Sequence, residues 1–572
     1  MKKLPVSATK RMVTLALSAL FLLLATPAVA RPDIDLGKRL YETGINRHGE
    51  PINGIDNNDI VYDGDQAACV RCHRRSGFGG SEGGYYVPPI GTAFLFEPSR
   101  RDRNDRFRAA FLEAQSVQHW VRARMPRTRP AYTDETLAEA LREGHSPTGT
   151  KFDALMPRYE LDDKDMENLI GYLHTLSDQV SPGVDDTYMH FAMVVTPDLD
   201  PVKRDAMIRS TEAFFEWYNQ RLLGDKNLAA SERVYGMQFK ESTRLWKLYI
   251  WELKGDSKSW ARQLKRYQKQ TPVFGMVNGM VDGPWDPVAE FCNAERMPCL
   301  LPITQLADHQ SELGGYTIYY SRGLELEADL IAQHLYDQGI TTGRTVVQLH
   351  DASPAGSIPA RQFAATAARL MPGVTLQTIA FRDKKQLEKA ISGLTGEKGL
   401  THDIILWPGD QLEALETVLS RPELSATDVY TSSQTFERAA SGEAGDYAKS
   451  QAYRLAASWP YSLPEDRHSD SYRMRAWMRS RGLQVTDERI QFMSIYSLGI
   501  MRDAIRHMFE HYHRDYFIER IEHEVDGAVN PGFYPNLSLG PEQRIVSKGG
   551  YVVRLENANS EKLVPLGKWM VP

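Results

Sequence analysis

The sequence predicts a multidomain chain, with a smaller N-terminal unit bounded by helices and a larger unit of alternating strands and helices. Three observations carry this. The chain has 572 residues, too many for one hydrophobic core. A polar stretch with Pro and Gly, "SDQVSPGVDDT" at 177–187, reads as a linker. Across it the apolar pattern changes, from amphipathic helical stretches to buried-strand runs, each followed by a helix.

The first 30 residues come before either unit. Lys2, Lys3, Lys10 and Arg11 flank the start of an apolar run from Met12 to Ala25, and Ala28-Val29-Ala30 gives a small-x-small cleavage pattern. Residues 1–30 therefore read as a secretory signal peptide. The alternative is an uncleaved anchor, but a span wants about 20 apolar residues. No later stretch is apolar enough to cross a bilayer, so the expectation is a periplasmic protein with no membrane span after cleavage. The formal net charge is −6 and no basic tract appears, which argues against a nucleic-acid partner. Ten Trp and 26 Tyr suit stacking or ligand-lined clefts as well as ordinary cores.

The N-terminal unit, 31–176, contains "DQAACVRCHRRSGFGG" at 65–80, which uses two of the four cysteines. C-x-x-C-H is the attachment signature of c-type haem. Two thiols three positions apart reach the two vinyl groups on one porphyrin edge, and the next histidine turns under the ring to bind iron. The prediction is one haem c, covalently held by Cys69 and Cys72, with His73 as proximal ligand. A zinc site needs two further ligands nearby, and the other cysteines are more than 200 residues away. A thioredoxin-like pair needs a preceding strand, and the flanks here are Asp/Gly- and Arg/Gly-rich. Met156-Pro157 offers a sixth ligand ahead of a helix capped by Asp162, with Met166, Leu169, Ile170 and Leu173 on one face. Met125-Pro126 is the rival, and His119 and His145 are further candidates. Arg74 and Arg75 are either propionate partners or solvated charges. The Gly-rich segment after the motif is expected to be a loop over one side of the ring.

With the helix at Gly37-Lys38-x-x-Tyr41, the motif Cys69-Val70-Arg71-Cys72-His73, and Met156-Pro157 before a helix ending in Tyr172-Leu173, residues 31–176 resemble a class I c-type cytochrome. The resemblance implies an all-α cytochrome c domain.

In 188–572, "MHFAMVVT", "KLYIWEL", "PVFGMVNG", "RTVVQLHD" and "HDIILWPG" read as strands, each leading into a helix. This is a parallel α/β pattern with ligands expected at the carboxyl ends of strands. No Walker loop, G-x-S-x-G or H-E-x-x-H motif appears, so no catalytic residues are assigned and the chain is expected not to be an enzyme. The order of "PVFGMVNG", "MPCLLPIT", "YTIYYSRGLELEADLIAQHLY", "GRTVVQLHDASPAGSIPARQF", "DVYTSSQTFE" and "QFMSIYSLGIMRDAIRHMF" resembles the type I periplasmic solute-binding proteins of the leucine/isoleucine/valine class. The resemblance implies a two-lobed α/β periplasmic-binding-protein-like domain. It implies ligand contacts at Asn278, Gly279, Thr304, Ser321, Asp351 and Ser433. The sequence departs from the amino-acid-binding pattern at Ala355-Gly356, where a Tyr-Gly pair is usual, and at Ser432-Ser433-Gln434, where the usual acidic residue is not evident. Without a charge partner for a buried ammonium, such a site suits a different ligand or a docking role. Cys292 and Cys299 are expected to form a disulfide in an oxidising compartment, with two buried thiols as the alternative. His507 and His511 fall four apart on a predicted helix, as a metal pair or as an ordinary polar face.

The leading expectation is an exported electron-transfer protein, with the haem passing single electrons to a periplasmic redox partner. The second module would bind a small molecule or dock a partner, and would serve a dehydrogenase of the quinoprotein type. The alternative is a solute receptor for an ABC transporter whose haem is a redox sensor or structural attachment.

Overall fold

The computed structural model describes residues 31–82, 85–98, 129–153, 155–231, 244–307, 314–340, 344–394, 402–425, 427–508, 511–528, 530, 532–558 and 560–572. The proposed signal peptide, Met125 and His119 lie outside them. The chain divides into Met1–Asp178 and Gln179–Pro572. Ser181 to Val184 of the expected linker pack on the second unit: Gly183 approaches Phe274 so closely that a Cβ would lie 2.0 Å from its nitrogen, and Val184 bridges to Met189.

In the first unit, α1 (Ile34–Thr43) starts at Asp33, whose carboxylate accepts from the Asp35 and Leu36 amides. It stops at Gly44, which takes the left-handed conformation a side chain would oppose. The short α2 (Val70–His73) carries the cysteine motif. The third helix, α3 (Asp134–Glu143), is capped by Thr133, and α4 (Asp163–Leu173) by Asp162. The buried side chains of α4 include Met166, Leu169, Ile170 and Leu173, the face read from the sequence. The first and last of these helices cross at Gly37, where a Cβ would sit 2.0 Å from the Asn168 carbonyl oxygen, and the Tyr41 and Tyr172 rings meet at 5.3 Å.

The all-α expectation for this unit is corrected. β1 (Asn53–Ile55) pairs with β2 (Val61–Asp63) and with the later β5 (Arg158–Tyr159) in a three-stranded sheet. The cause is local. The Asp56 carboxylate accepts from the Asn58 and Ile60 amides at 2.7 and 3.0 Å, which closes a tight turn between β1 and β2. The Gly-rich segment, expected as a loop, contains a small hairpin of β3 (Gly80–Glu82) and β4 (Tyr85–Val87).

The second unit has two lobes. The first sheet runs β10-β9-β8-β6-β7, all parallel: β6 (Tyr188–Val195), β7 (Leu245–Glu252), β8 (Gly275–Val277), β9 (Cys299–Leu300) and β10 (Thr317–Ile318). Its helices are α5 (Pro201–Ser231), α6 (Trp260–Gln270) and α7 (Asp286–Ala294). After the first crossing, α8 (Leu324–Asp337) opens the second lobe, whose sheet runs β12-β11-β13-β14-β15-β16-β17. Its parallel part is β11 (Thr345–Asp351), β12 (Thr375–Phe381), β13 (His402–Trp407), β14 (Val429–Thr431) and β15 (Leu455–Trp459). Its helices include α9 (Pro354–Leu370), α10 (Lys384–Leu394), α11 (Glu413–Leu419) and α12 (Ser433–Ser441). The chain returns for α13 (Glu488–Met508) and α14 (Arg514–Glu524) on the first lobe, then ends in antiparallel β16 (Tyr551–Leu555) and β17 (Leu563–Pro565) on the second.

Three crossings join the lobes, near Tyr319–Ser321, Pro460–Ser462 and Phe533–Ser547. They bond to one another: Tyr319 N to Arg544 O at 2.8 Å, Ser547 N to Tyr320 O at 2.7 Å, and Ser462 N to Phe533 O at 2.8 Å. Arg544, fully buried, anchors the third crossing through Glu522 at 2.7 Å.

Candidate functional site

Two regions gather chemistry, one in each unit. In the first, α2 is a single turn, with the His73 amide bonded to the Cys69 carbonyl at 2.9 Å. Cys69 is buried and Cys72 exposed, so one thiol faces the core and the other faces out. Burial pushes the Cys69 thiol up to about 12. His73 is buried, which lowers its pKa to about 4 and keeps the ring neutral at neutral pH. Its Nδ1 lies 3.0 Å from the Pro88 carbonyl oxygen. That oxygen only accepts, so Nδ1 carries the proton and Nε2 keeps its lone pair, the arrangement an imidazole needs to bind a metal. The Tyr41 hydroxyl donates to the Arg74 carbonyl at 2.6 Å and the Tyr159 hydroxyl to Ala67 at 3.1 Å, which brace the turn on both sides. Met156 is half-buried against the same core as Cys69. Two thiols, a neutral imidazole with its Nε2 lone pair free of the Pro88 bond, and a thioether are the donor types a covalent haem would use. His145 is exposed, on a small bridged turn.

In the second unit the switch points of the two sheets, where strand order reverses, lie between β6 and β8 and between β11 and β13. Of the resemblance-derived residues, Asn278, Gly279 and Asp351 fall at these switch points, while Thr304, Ser321 and Ser433 follow β9, β10 and β14; their polar groups are engaged internally. Asn278 is buried at positive φ, donates to Thr211 Oγ1 at 2.9 Å and accepts from Ser497 Oγ. Gly279 lies so close to Trp285 that a Cβ would come within 2.9 Å. Thr304 Oγ1 accepts from the Leu306 amide at 3.0 Å, and Ser321 Oγ from the Gly323 amide at 3.1 Å. Asp351, at the end of β11, accepts from Gln411 Nε2 at 2.7 Å and from the Ser353 amide at 3.1 Å. Ser433 gives both its amide, at 2.6 Å, and its hydroxyl, at 2.8 Å, to Glu327.

Glu327 of α8 was not singled out from the sequence, and it places a carboxylate against the "TSS" loop at Ser433. It is wholly buried, it also accepts from Ser458 Oγ at 2.7 Å, and burial raises its pKa to about 7. A signal was present: Glu325, Glu327 and Asp329 interleave with Leu324, Leu326, Ala328 and Leu330, an apolar helix carrying charges it must bury. Next to it, on the crossings, Tyr461 and Tyr534 pack at 5.3 Å and Tyr320 and Tyr534 stack at 5.6 Å. Gln305 of the first lobe donates to the Tyr461 hydroxyl at 3.2 Å. Arg489, in the first turn of α13, lies over the Tyr461 ring at 4.7 Å and forms a two-pronged ion pair with Glu437 of α12, at 2.9 and 2.8 Å. The junction thus carries phenols, an amide, and a cation and an anion from opposite lobes.

Two other expectations change. Cys292 and Cys299 are buried thiols rather than a disulfide, and Cys292 Sγ points at Met276 Sδ, 3.7 Å away, as a small apolar group filling the core. The proposed His507/His511 pair does not share a helical face, because α13 ends at Met508, and His507 instead lies 3.8 Å from Glu524. Among the described residues no group of three or more His, Cys, Asp and Glu is placed to hold a metal ion, and no helix is long and apolar enough to cross a membrane.

The sequence matches no protein-family model and no curated protein. Solved structures of similar shape include a fatty acid ABC transporter substrate-binding protein from Thermomonospora curvata, 13% identical over 69% of this chain and 95% of that one, TM-score 0.47. Another is a branched chain amino acid ABC transporter from Thermus thermophilus with bound valine, 11% identical over 68% and 98%, TM-score 0.48. A third is an ABC transporter substrate binding protein from Aeropyrum pernix, 10% identical over 68% and 96%, TM-score 0.46. The leading expectation, an electron-transfer protein, is corrected on this finding: the structures of similar shape are described as ABC transporter proteins, not as electron carriers.

Proposed function

We propose that the chain is an exported solute receptor, not an enzyme, whose second unit closes on a small molecule for a membrane transporter of the ABC type. The observation that supports this most is the lobe junction. Two α/β lobes present their switch points there, across three hydrogen-bonded crossings, with Gln305 and Arg489 from one lobe near Glu437 and Tyr461 of the other. An amino acid is not the favoured ligand: Glu327, the carboxylate nearest in role to an ammonium partner, already accepts three hydrogen bonds.

The first unit is proposed to carry one haem c, with Cys69 and Cys72 as thioether anchors and His73 Nε2 on the iron. Met156 is the proposed sixth ligand. When bound, the haem supplies a one-electron iron couple, here as a redox-sensing or structural attachment to the receptor. The chain's own contribution is orientation: Pro88 O holds the His73 ring, and Tyr41 and Tyr159 hold the turn that spaces the thiols.

Native mass spectrometry of the full chain, exported from a host that matures c-type cytochromes, tests both parts. The expected spectrum shows covalent haem together with a co-purified small molecule. A chain without haem overturns the attachment. An empty cleft that no small molecule fills overturns the receptor. Met156→Ala should abolish the Met-to-iron absorption band, and an unchanged band would overturn its role as sixth ligand.

A further inference from the structure

We propose that Glu437 is a built-in stand-in for the ligand's carboxylate, held on Arg489 until a small organic carboxylate takes its place. The inference rests on the receptor reading above and names its ligand class.

Three observations carry it. First, the ion pair joins the two lobes: Arg489 belongs to α13, packed on the first lobe, and Glu437 to α12, packed on β15 of the second. Both side chains are partly exposed, 28% and 35%, so the pair borders solvent. Second, the guanidinium is oriented in advance. It lies over the Tyr461 ring at 4.7 Å, and Tyr461 is itself fixed by Gln305 at 3.2 Å. A planar guanidinium presents two parallel N–H groups, and any carboxylate satisfies them with the geometry Glu437 now supplies at 2.9 and 2.8 Å. Third, the other polar groups of the junction are engaged deeper in the fold. Glu327 is held by Ser433 and Ser458, Asp351 by Gln411, and the buried Arg544 by Glu522.

A like-charge approach between the lobes supplies a reason for a stand-in. Asp282 of the first lobe feels Asp410 of the second, and burial together with that like charge raises its pKa. Bringing the lobes together therefore costs electrostatic energy there, and the Arg489–Glu437 pair offsets it when no ligand is present. A plain structural ion pair would do the same but would not exchange Glu437 for a solute.

The experiment is calorimetric titration of the full chain with sodium benzoate and sodium hexanoate, against benzyl alcohol and hexanol at matched ionic strength. Glu437→Gln should bind the carboxylates about tenfold more tightly than the unmodified chain, because the competing anion is gone. Arg489→Gln should weaken them by more than tenfold, and Arg489→Lys should recover part of the loss. Far-UV circular dichroism checks that each variant is folded, and Arg489→Lys serves if Arg489→Gln is not. The proposal is overturned if the alcohols bind as well as the carboxylates, if no carboxylate binds even to Glu437→Gln, or if Arg489→Gln binds them undiminished. Native mass spectrometry separates this from the receptor reading. A co-purified neutral or cationic solute would keep the receptor and sink the carboxylate.

Discussion

The cysteine turn of the first unit and the lobe junction of the second are built in opposite ways. Cys69, Cys72 and His73 are brought together by one helical turn, and the chain around them only orients what the sequence has already grouped. The junction draws Gln305, Glu327, Glu437, Tyr461 and Arg489 from five places in the sequence, and none is next to another until the lobes are joined. A site of the first kind survives as long as its local turn does. The second kind depends on every crossing that holds the lobes in register.

The largest effect should come from the anchor of those crossings. Arg544→Ala leaves Glu522 buried without its partner, and a broken buried pair costs about 4 kcal/mol. Chemical denaturation should show the second unit losing that much while the first unit's transition holds. Equal loss in both would break the contrast.

Glu327 gives the next effect, and it has a sign. Its folded pKa is about 7, raised by burial from an ordinary 4.5. The folded state therefore holds the proton more tightly than the unfolded state between those values. The stabilisation is fully present below about 4.5 and is lost as pH rises through about 7, an effect on the order of 3 kcal/mol. His513, lowered to about 4 by burial, slopes the other way, with stability rising from about 4 to 6.5. The difference between the unmodified chain and Glu327→Gln isolates the first slope, and an identical pH profile in both would deny Glu327 the role.

Smaller effects belong to the first unit. Gly37→Ala forces apart α1 and α4 and should cost about 2 kcal/mol, read as a lower melting temperature of that unit. Thr133→Ala removes only the cap of α3 and should cost about 1 kcal/mol. If the cap variant proved the worse of the two, close packing at Gly37 would not be what holds this unit.

How much could be read in advance follows the same division. Asp162 as cap of α4, the buried face of that helix, and strands near 188–195, 245–252, 345–351 and 402–407 all follow from periodicity and short-range hydrogen bonding, which the sequence states directly. The sheet in the first unit was missed because a two-residue Asx bond at Asp56, not a long apolar alternation, creates it. Of the pocket residues inferred by resemblance, Asn278 and Ser433 turn their side chains inward, toward partners 219 and 106 residues away.

By itself, then, the sequence determined the two-unit division, the parallel α/β grammar of the second unit and the grouping of two thiols with an imidazole, because each rests on neighbours within a few residues. Only the tertiary structure decided that Glu327 is buried against Ser433, that Cys292 and Cys299 stand as thiols, and that Arg489 meets Glu437. Those outcomes depend on which buried polar group finds a partner at hydrogen-bond distance, and burial is a property of the folded whole.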